Sequence, residues 1–369
     1  MTDSQKTPDP EGENDNQGRE NEFDHLHEMM DQLDDQIAEY QASLSRPAPP
    51  VESSPEIVDS SAPQKTSIPM STDDPRVGDV PRWKFLHLAL FLLTFLSCFY
   101  KGMVTGDIPS PPPGVTEMTP EMISALLWNG FQYSFAVMLI LFSHEMGHYL
   151  QARRYKVAAS PPFFIPMPLL PFGTMGAVIV QRSGYADRKK LYDIAISGPL
   201  AGLVFALPVA WMGALNSEVA SRAKLVGESV EFGDPLVMQW MYELVHGPLG
   251  PDQVIMLNPL LFAGWVGIFI TALNLIPIGQ LDGGHILYSL IGRRAHVVAM
   301  LLVYGTLAYM VATRNFQYAL MLGLIVLMGP RHPPTANDRI ELGWFRVVLG
   351  WLTLAFIVIG FTPVPMVIP

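Results

Sequence analysis

The chain is predicted to fold as an all-α, polytopic membrane protein: about seven transmembrane helices, a re-entrant loop with a short β-strand, and a disordered acidic N-terminal tail. Three observations predict this. Charge divides the chain, with 19 Asp/Glu against 5 Lys/Arg in residues 1–80 and 15 against 18 in the rest, within a net charge of −11 over 369 residues. Apolar stretches long enough to cross a bilayer recur only in the second part. The loops between those stretches also differ in sign, as the positive-inside rule expects of a chain that crosses repeatedly.

Residues 1–80 are rich in Pro, Ser, Gln and Asp and poor in aromatics, so they bury too little apolar surface to offset chain entropy. Within them Phe23, Leu26, Met30, Leu33, Ile37, Tyr40 and Leu44 are spaced three and four apart, a heptad seam flanked by acids. It reads either as a short coiled coil that docks a partner helix or as a transient amphipathic helix. Residues 46–82 follow as a Pro/Ser linker. Residues 81–369 are expected to form the membrane-embedded domain, with its core at 122–290. The first 80 residues contain neither a secretory apolar stretch nor an Arg-rich transit sequence, so 85–100 is expected to act as an uncleaved anchor. The single cysteine, Cys98, falls in that anchor as a small hydrophobe; one cysteine excludes an internal disulfide and a thiolate zinc cluster.

Apolar segments are expected at 85–100, 122–150, 191–215, 254–290, 295–313, 316–329 and 344–362. Arg82 and Lys84, Arg153, Arg154 and Lys156, Arg188, Lys189 and Lys190, Arg293 and Arg294, and Arg331 and Arg339 mark one set of loops. Loops 101–121 and 216–252 are acidic or Pro-rich, which gives a cytoplasmic N-terminus and seven crossings. That sum requires 157–181 to enter and leave on the cytoplasmic side. The segment is uncharged for 25 residues yet holds Pro161, Pro162, Pro166, Pro168 and Pro171, so it is not an ordinary helix. A re-entrant loop followed by a strand over 176–180 fits both facts, provided protein or a wet cavity covers it.

Polar residues at membrane depth carry the functional signal. Residues 122–143 are 22 uncharged residues that run into His144-Glu145-Met146-Gly147-His148. On a helix, histidines four apart share one face and can grip one ion, with Glu145 beside them to address a water. A hydrolytic zinc site wants three protein ligands and an open position, so the third comes from elsewhere. Residues 253–281 are 29 uncharged residues, followed directly by Asp282, Gly283, Gly284 and His285. Pro277 and Gly279 should break the helix there and turn Asp282 inward. Asp282 lies 11 residues before Arg293 and His148 five before Arg153, so both motifs approach one cytoplasmic face.

These motifs, His144-Glu-x-x-His148 at the end of one membrane segment and Asn274-x-x-Pro277-x-Gly279-x-x-Asp282-Gly283 in a later one, resemble the site-2 protease family of intramembrane zinc metalloproteases. The Pro-rich stretch before Gly176 and the long acidic extension are most similar to its plastid and bacterial branch. The likeness covers about 122–290. The acidic tail without a transit-type start favours a bacterial inner membrane with the N-terminus cytoplasmic.

The resemblance implies one zinc ion held by His144, His148 and Asp282, with Glu145 as general base and Asn274 as donor to the oxyanion. It implies that Gly173, Thr174, Met175 and Gly176 begin an edge strand that a substrate peptide extends. The substrate would be a transmembrane protein; no nucleic-acid partner is expected. For Asn274 the other reading is an interhelical hydrogen bond or a cap at the break. His285 reads either as a group supporting the metal ligands from behind or as an ordinary helix-facing or interfacial histidine. Gly198 and Gly202 suit close helix packing beside the active-site helix. Asp193 is expected to pair at the surface with Lys189 or Lys190. Two further functions stay open: a zinc protease acting on soluble tails, and a non-catalytic metal-binding scaffold or transporter.

Overall fold

The computed structural model describes residues 84–106, 118–181, 186–221 and 231–367. The acidic tail, its 23–44 seam and the linker at 46–82 lie outside these residues. Chain order gives α1 (Lys84–Met103), α2 (Pro120–Arg154), β1 (Phe163–Met167), β2 (Gly173–Val178), α3 (Arg188–Leu215), β3 (Val219–Ser221) and β4 (Glu231–Phe232). There follow α4 (Leu236–His246), β5 (Gln253–Ile255), α5 (Pro259–Asn274), α6 (Asp282–Ile291), a 3-10 turn (Gly292–Arg294), α7 (Ala295–Thr313), α8 (Ala319–Met328), α9 (Trp344–Gly360) and β6 (Met366–Val367). The strands pair as three two-stranded antiparallel sheets.

Local chemistry sets the helix starts. Pro120 fixes the backbone in the first turn of α2 while the Thr119 hydroxyl accepts from the Met122 amide. Asp187 accepts from the Lys190 amide at the head of α3, and Asn258 from the Leu261 amide at the head of α5. Helix α5 is apolar on all sides, and Leu261, Phe262, Ala263, Trp265, Val266 and Ile268 are buried. It lies against α3 at backbone distance: a Cβ on Gly264 would sit 2.4 Å from the Ala210 Cα, and one on Gly213 2.2 Å from the Leu261 nitrogen.

Among the described residues, four runs are long and apolar enough to cross a membrane: Phe85–Met103, Pro120–Arg154, Arg188–Leu215 and Asp282–Thr313. Pro259–Asn274 and Trp344–Gly360 are shorter apolar helices. About seven crossings were expected, and two of the segments expected to cross are divided or short. The 254–290 stretch is divided into α5 and α6 at the turn containing Pro277 and Gly279, the latter at φ +56°. The 316–329 stretch yields the ten-residue α8, roughly 15 Å long, half a hydrocarbon thickness.

The Pro-rich segment differs from expectation in detail. Its strand runs Gly173–Val178 rather than 176–180, and it has a partner, β1, inside the proline run itself. Pro166 is accommodated because the register slips between Phe164 and Pro166, a bulge that tolerates a residue with no N–H to donate.

Asp193 also differs. Its carboxylate takes a two-pronged contact from the Arg346 guanidinium of α9, at 2.7 and 3.0 Å, and a 2.5 Å hydrogen bond from the Tyr155 hydroxyl. Lys190 pairs instead with Asp187 at 3.0 Å. The planar guanidinium matches a carboxylate in a way a flexible ammonium does not, and the pair ties α9 to α3.

Candidate metal centre

Helix α2 presents the histidine pair. His144 and His148 sit one turn apart with ring centres 5.0 Å apart, and they, with Glu145, are 3 %, 6 % and 5 % exposed. Burying three such groups in an apolar bundle is unfavourable unless they are paired or coordinate something. The packing against α3 shapes the pair. A Cβ on Gly198 would sit 2.0 Å from the His148 Nε2, and one on Gly202 3.1 Å from the His144 Nδ1. A Cβ on Gly147 would lie 2.4 Å from the Ser197 carbonyl. The small residues therefore let α3 press its backbone directly onto the imidazoles, deepening the packing role expected for Gly198 and Gly202.

That same backbone selects a tautomer. The Ile194 carbonyl can only accept, so the His148 Nδ1 at 2.8 Å carries the proton. The Nε2 lone pair then faces the cavity, the arrangement metal-binding histidines use.

Asp282 arrives from α6 as its first residue. One carboxylate oxygen is 3.1 Å from the His144 Nε2 and the other 3.2 Å from the His148 Nε2. The ligand atoms of His144, His148 and Asp282 all lie within 4.8 Å of one another, the one such group among the described residues. Tetrahedral zinc with bonds near 2.0–2.2 Å sets its ligand atoms roughly 3.4 Å apart. Two nitrogens and one oxygen at this spacing fit the ion, and three protein ligands leave a fourth position open.

These residues line a cavity of about 300 Å³ whose walls also include Asn274, His285, Ala177, Val178, Ile179, Ile194 and Ala195. The Ile179 backbone is within hydrogen-bonding reach of the Glu145 carboxylate, so the chain just past β2 adjoins the expected base. Asn274, the last residue of α5, lines the cavity. Gly173, Thr174, Met175 and Gly176 do not line it. The Thr174 hydroxyl donates to the Ile165 carbonyl and accepts from the Gly176 amide, and Gly173 packs on the backbone of α1 at Cys98. Residues 177–179, at the end of β2 and just past it, line the cavity. The sequence reading also missed His332, Pro333, Pro334 and Thr335, which close another wall from the connection between α8 and α9. A lone histidine in a short Pro-rich loop gives no periodicity or spacing by which to find it.

A buried imidazole pair and carboxylate converging on a cavity inside an apolar helical bundle define a membrane-embedded metal-binding protein. Residues 132–313 match peptidase family M50. That stretch, just under half of the chain, is a domain of the site-2 protease family. It is 32 % identical over 294 residues to the probable zinc metalloprotease EGY1, chloroplastic, of Oryza sativa subsp. japonica, covering 74 % of this chain and 49 % of that protein. To the Arabidopsis thaliana protein of the same name it is 31 % identical over 302 residues, 78 % and 54 % of the two chains. To the probable zinc metalloprotease EGY2, chloroplastic, of Arabidopsis thaliana it is 29 % identical over 233 residues, 62 % and 39 %. The chain spans about half the length of the first two of these relatives. No solved structure matches it significantly.

Proposed function

We propose that this chain is a zinc metalloendopeptidase that hydrolyses peptide bonds in or beside the transmembrane segments of membrane proteins. The observation that carries the reading is the convergence of His144, His148 and Asp282, from segments 138 residues apart, on the cavity that Glu145 also lines. The relatives named as zinc metalloproteases support zinc as the ion. Bound by these ligands, zinc would acidify a water and polarise the scissile carbonyl. Glu145 takes the proton of the attacking water and later hands it to the leaving amine. Asn274 donates its amide to the oxyanion that develops on the carbonyl.

The substrate extends as a strand along residues 177–179, because the amides of an intact helix are already hydrogen-bonded within it. The apolar walls at Ala177, Val178, Ile194 and Ala195 suit a transmembrane sequence. A soluble-tail protease of the other lineage would take a Glu from a nearby helix as third ligand, and a transporter would need further polar groups along a path. The cationic residues Arg153, Arg154, Arg293 and Arg294 follow both motifs, so the site faces the compartment that holds those loops. We take that as the cytoplasm of a bacterial inner membrane; the relatives' chloroplast names do not support that choice over a plastid membrane.

Glu145→Gln tests the reading in detergent with a model transmembrane substrate. Zinc content should be unchanged and turnover should fall about 10²–10⁴-fold, the share of a positioned general base. Turnover at the wild-type rate would remove Glu145 from that role.

A further inference from the structure

Helix α6 begins at the expected metal ligand, but its own sequence does little to hold it there. The helix is ten residues long, a length marginal in isolation, and its N-cap residue Leu281 makes no side-chain capping bond. Asp282 therefore depends on what packs around α6. Much of that polar support comes from residues 329–343, the connection from α8 to α9, which lies beyond the 132–313 stretch that matches the family.

The ties run along the whole of α6. At its approach, the Gly279 amide donates to the Pro330 carbonyl at 3.1 Å. One turn in, the His285 Nδ1 is 2.6 Å from the His332 Nε2. Next, the Tyr288 ring stacks on the His332 ring at 4.2 Å and 16°, while its hydroxyl donates to Asp338 at 2.9 Å. At the far end, Arg188 donates to the Ser289 and Leu290 carbonyls at 2.6 and 3.0 Å. The connection is itself anchored on the start of α3, by Ala336 N–H to the Ala186 carbonyl and Arg188 N–H to the Asn337 carbonyl.

His332 is the centre of this arrangement. It is 7 % exposed, and its Nδ1 lies 2.5 Å from the Pro333 carbonyl, which can only accept. Its carbonyl accepts from the His296 Nε2 at 3.1 Å. Burial, then the neighbouring His285, pulls the His332 pKa down to about 3, so the ring is neutral at ordinary pH. With Nδ1 protonated, Nε2 is left as the acceptor and His285 must donate to it.

We infer that His332 is a positioning residue: by accepting from His285 and stacking on Tyr288 it fixes the first turns of α6, and so holds the Asp282 carboxylate against the imidazoles of α2. This rests on the zinc reading above, and the test separates the two. In the full chain in detergent, zinc release to a competing chelator is followed beside kcat, KM and the melting temperature of the metal-free protein. His332→Phe keeps volume and the stack but removes the acceptor. It should release zinc about 10–100-fold faster, the usual loss for a group that orients a ligand, and lower kcat more than KM, with little change in metal-free melting. His332→Gln, whose amide oxygen can accept from His285, should recover most of the loss. His285→Phe combined with His332→Phe should be little worse than either alone. If His332→Phe does not fold, Tyr288→Phe, which loses only the Asp338 bond, should still speed release. Wild-type zinc release in His332→Phe, no recovery in His332→Gln, or a fall in metal-free melting that accounts for the whole effect would each overturn the inference. A wild-type chain that binds no zinc would instead defeat the zinc reading.

Discussion

The two halves of the metal centre are held in different ways. His144 and His148 sit far along a 35-residue helix, four apart, with α3 pressed onto both rings through Gly198 and Gly202. Their mutual geometry follows from the helix itself. Asp282 opens a ten-residue helix after a broken turn, and its position depends on hydrogen bonds from a distant connection. One half of the site is local and rigid, and the other is assembled by tertiary contacts. Damage to the first should come from steric intrusion, and damage to the second from loosened ties.

The sharpest way to break the rigid half is Gly198→Ala. The new methyl would occupy the space of the His148 Nε2, 2.0 Å away. The ring can yield only by giving up its 2.8 Å bond to the Ile194 carbonyl and its metal-facing pose. We expect loss of bound zinc from a protein that still inserts and folds, measured by metal analysis of the purified chain. Wild-type zinc content would mean α3 does not set the imidazole. Asn274→Ala, on neither half, should retain zinc and KM while kcat falls about 10²–10³-fold, as for removal of one oxyanion donor. A change in KM alone would make Asn274 a packing residue at the end of α5.

The smallest effect sharpens the contrast by pH. His332, among His285, His296 and Asp338, is held neutral with a folded pKa of about 3 against an ordinary value of 6.5. Between those values the unfolded chain binds the extra proton, so stability is full above pH 6.5 and declines as pH falls toward 3. Melting temperature over that window should fall less steeply for His332→Gln than for wild type. Equal slopes would mean the imidazole is not held neutral by burial.

The sequence made the two motifs legible because each has a local signature. The spacing His144 to His148 is one helical turn, and Pro277 with Gly279 favours a break in the apolar run before Asp282. Such signatures do not reach across the chain. β1 was hidden in a proline run that reads as irregular, and only its bulge lets Pro166 sit in a strand. Arg346 meets Asp193 across 153 residues, a pairing no nearby charge pattern announces, whereas Lys189 and Lys190 are its neighbours in sequence. His285 was ambiguous for the same reason, since its partner is 47 residues away in a loop with no periodicity. That residues 177–179 line the cavity while Ser97, Cys98 and Ile165 engage the start of the strand at 173–174 is something only packing reveals.

The central claim is that one zinc ion joins the two halves. Zinc-edge X-ray absorption with metal analysis, on the wild-type chain and Asp282→Ala, tests it directly. The account predicts one zinc per chain with two imidazole neighbours and light oxygen or nitrogen ligands only, and substoichiometric, weakly held zinc in Asp282→Ala. Zinc bound in the same amount with an unchanged spectrum in Asp282→Ala would contradict it.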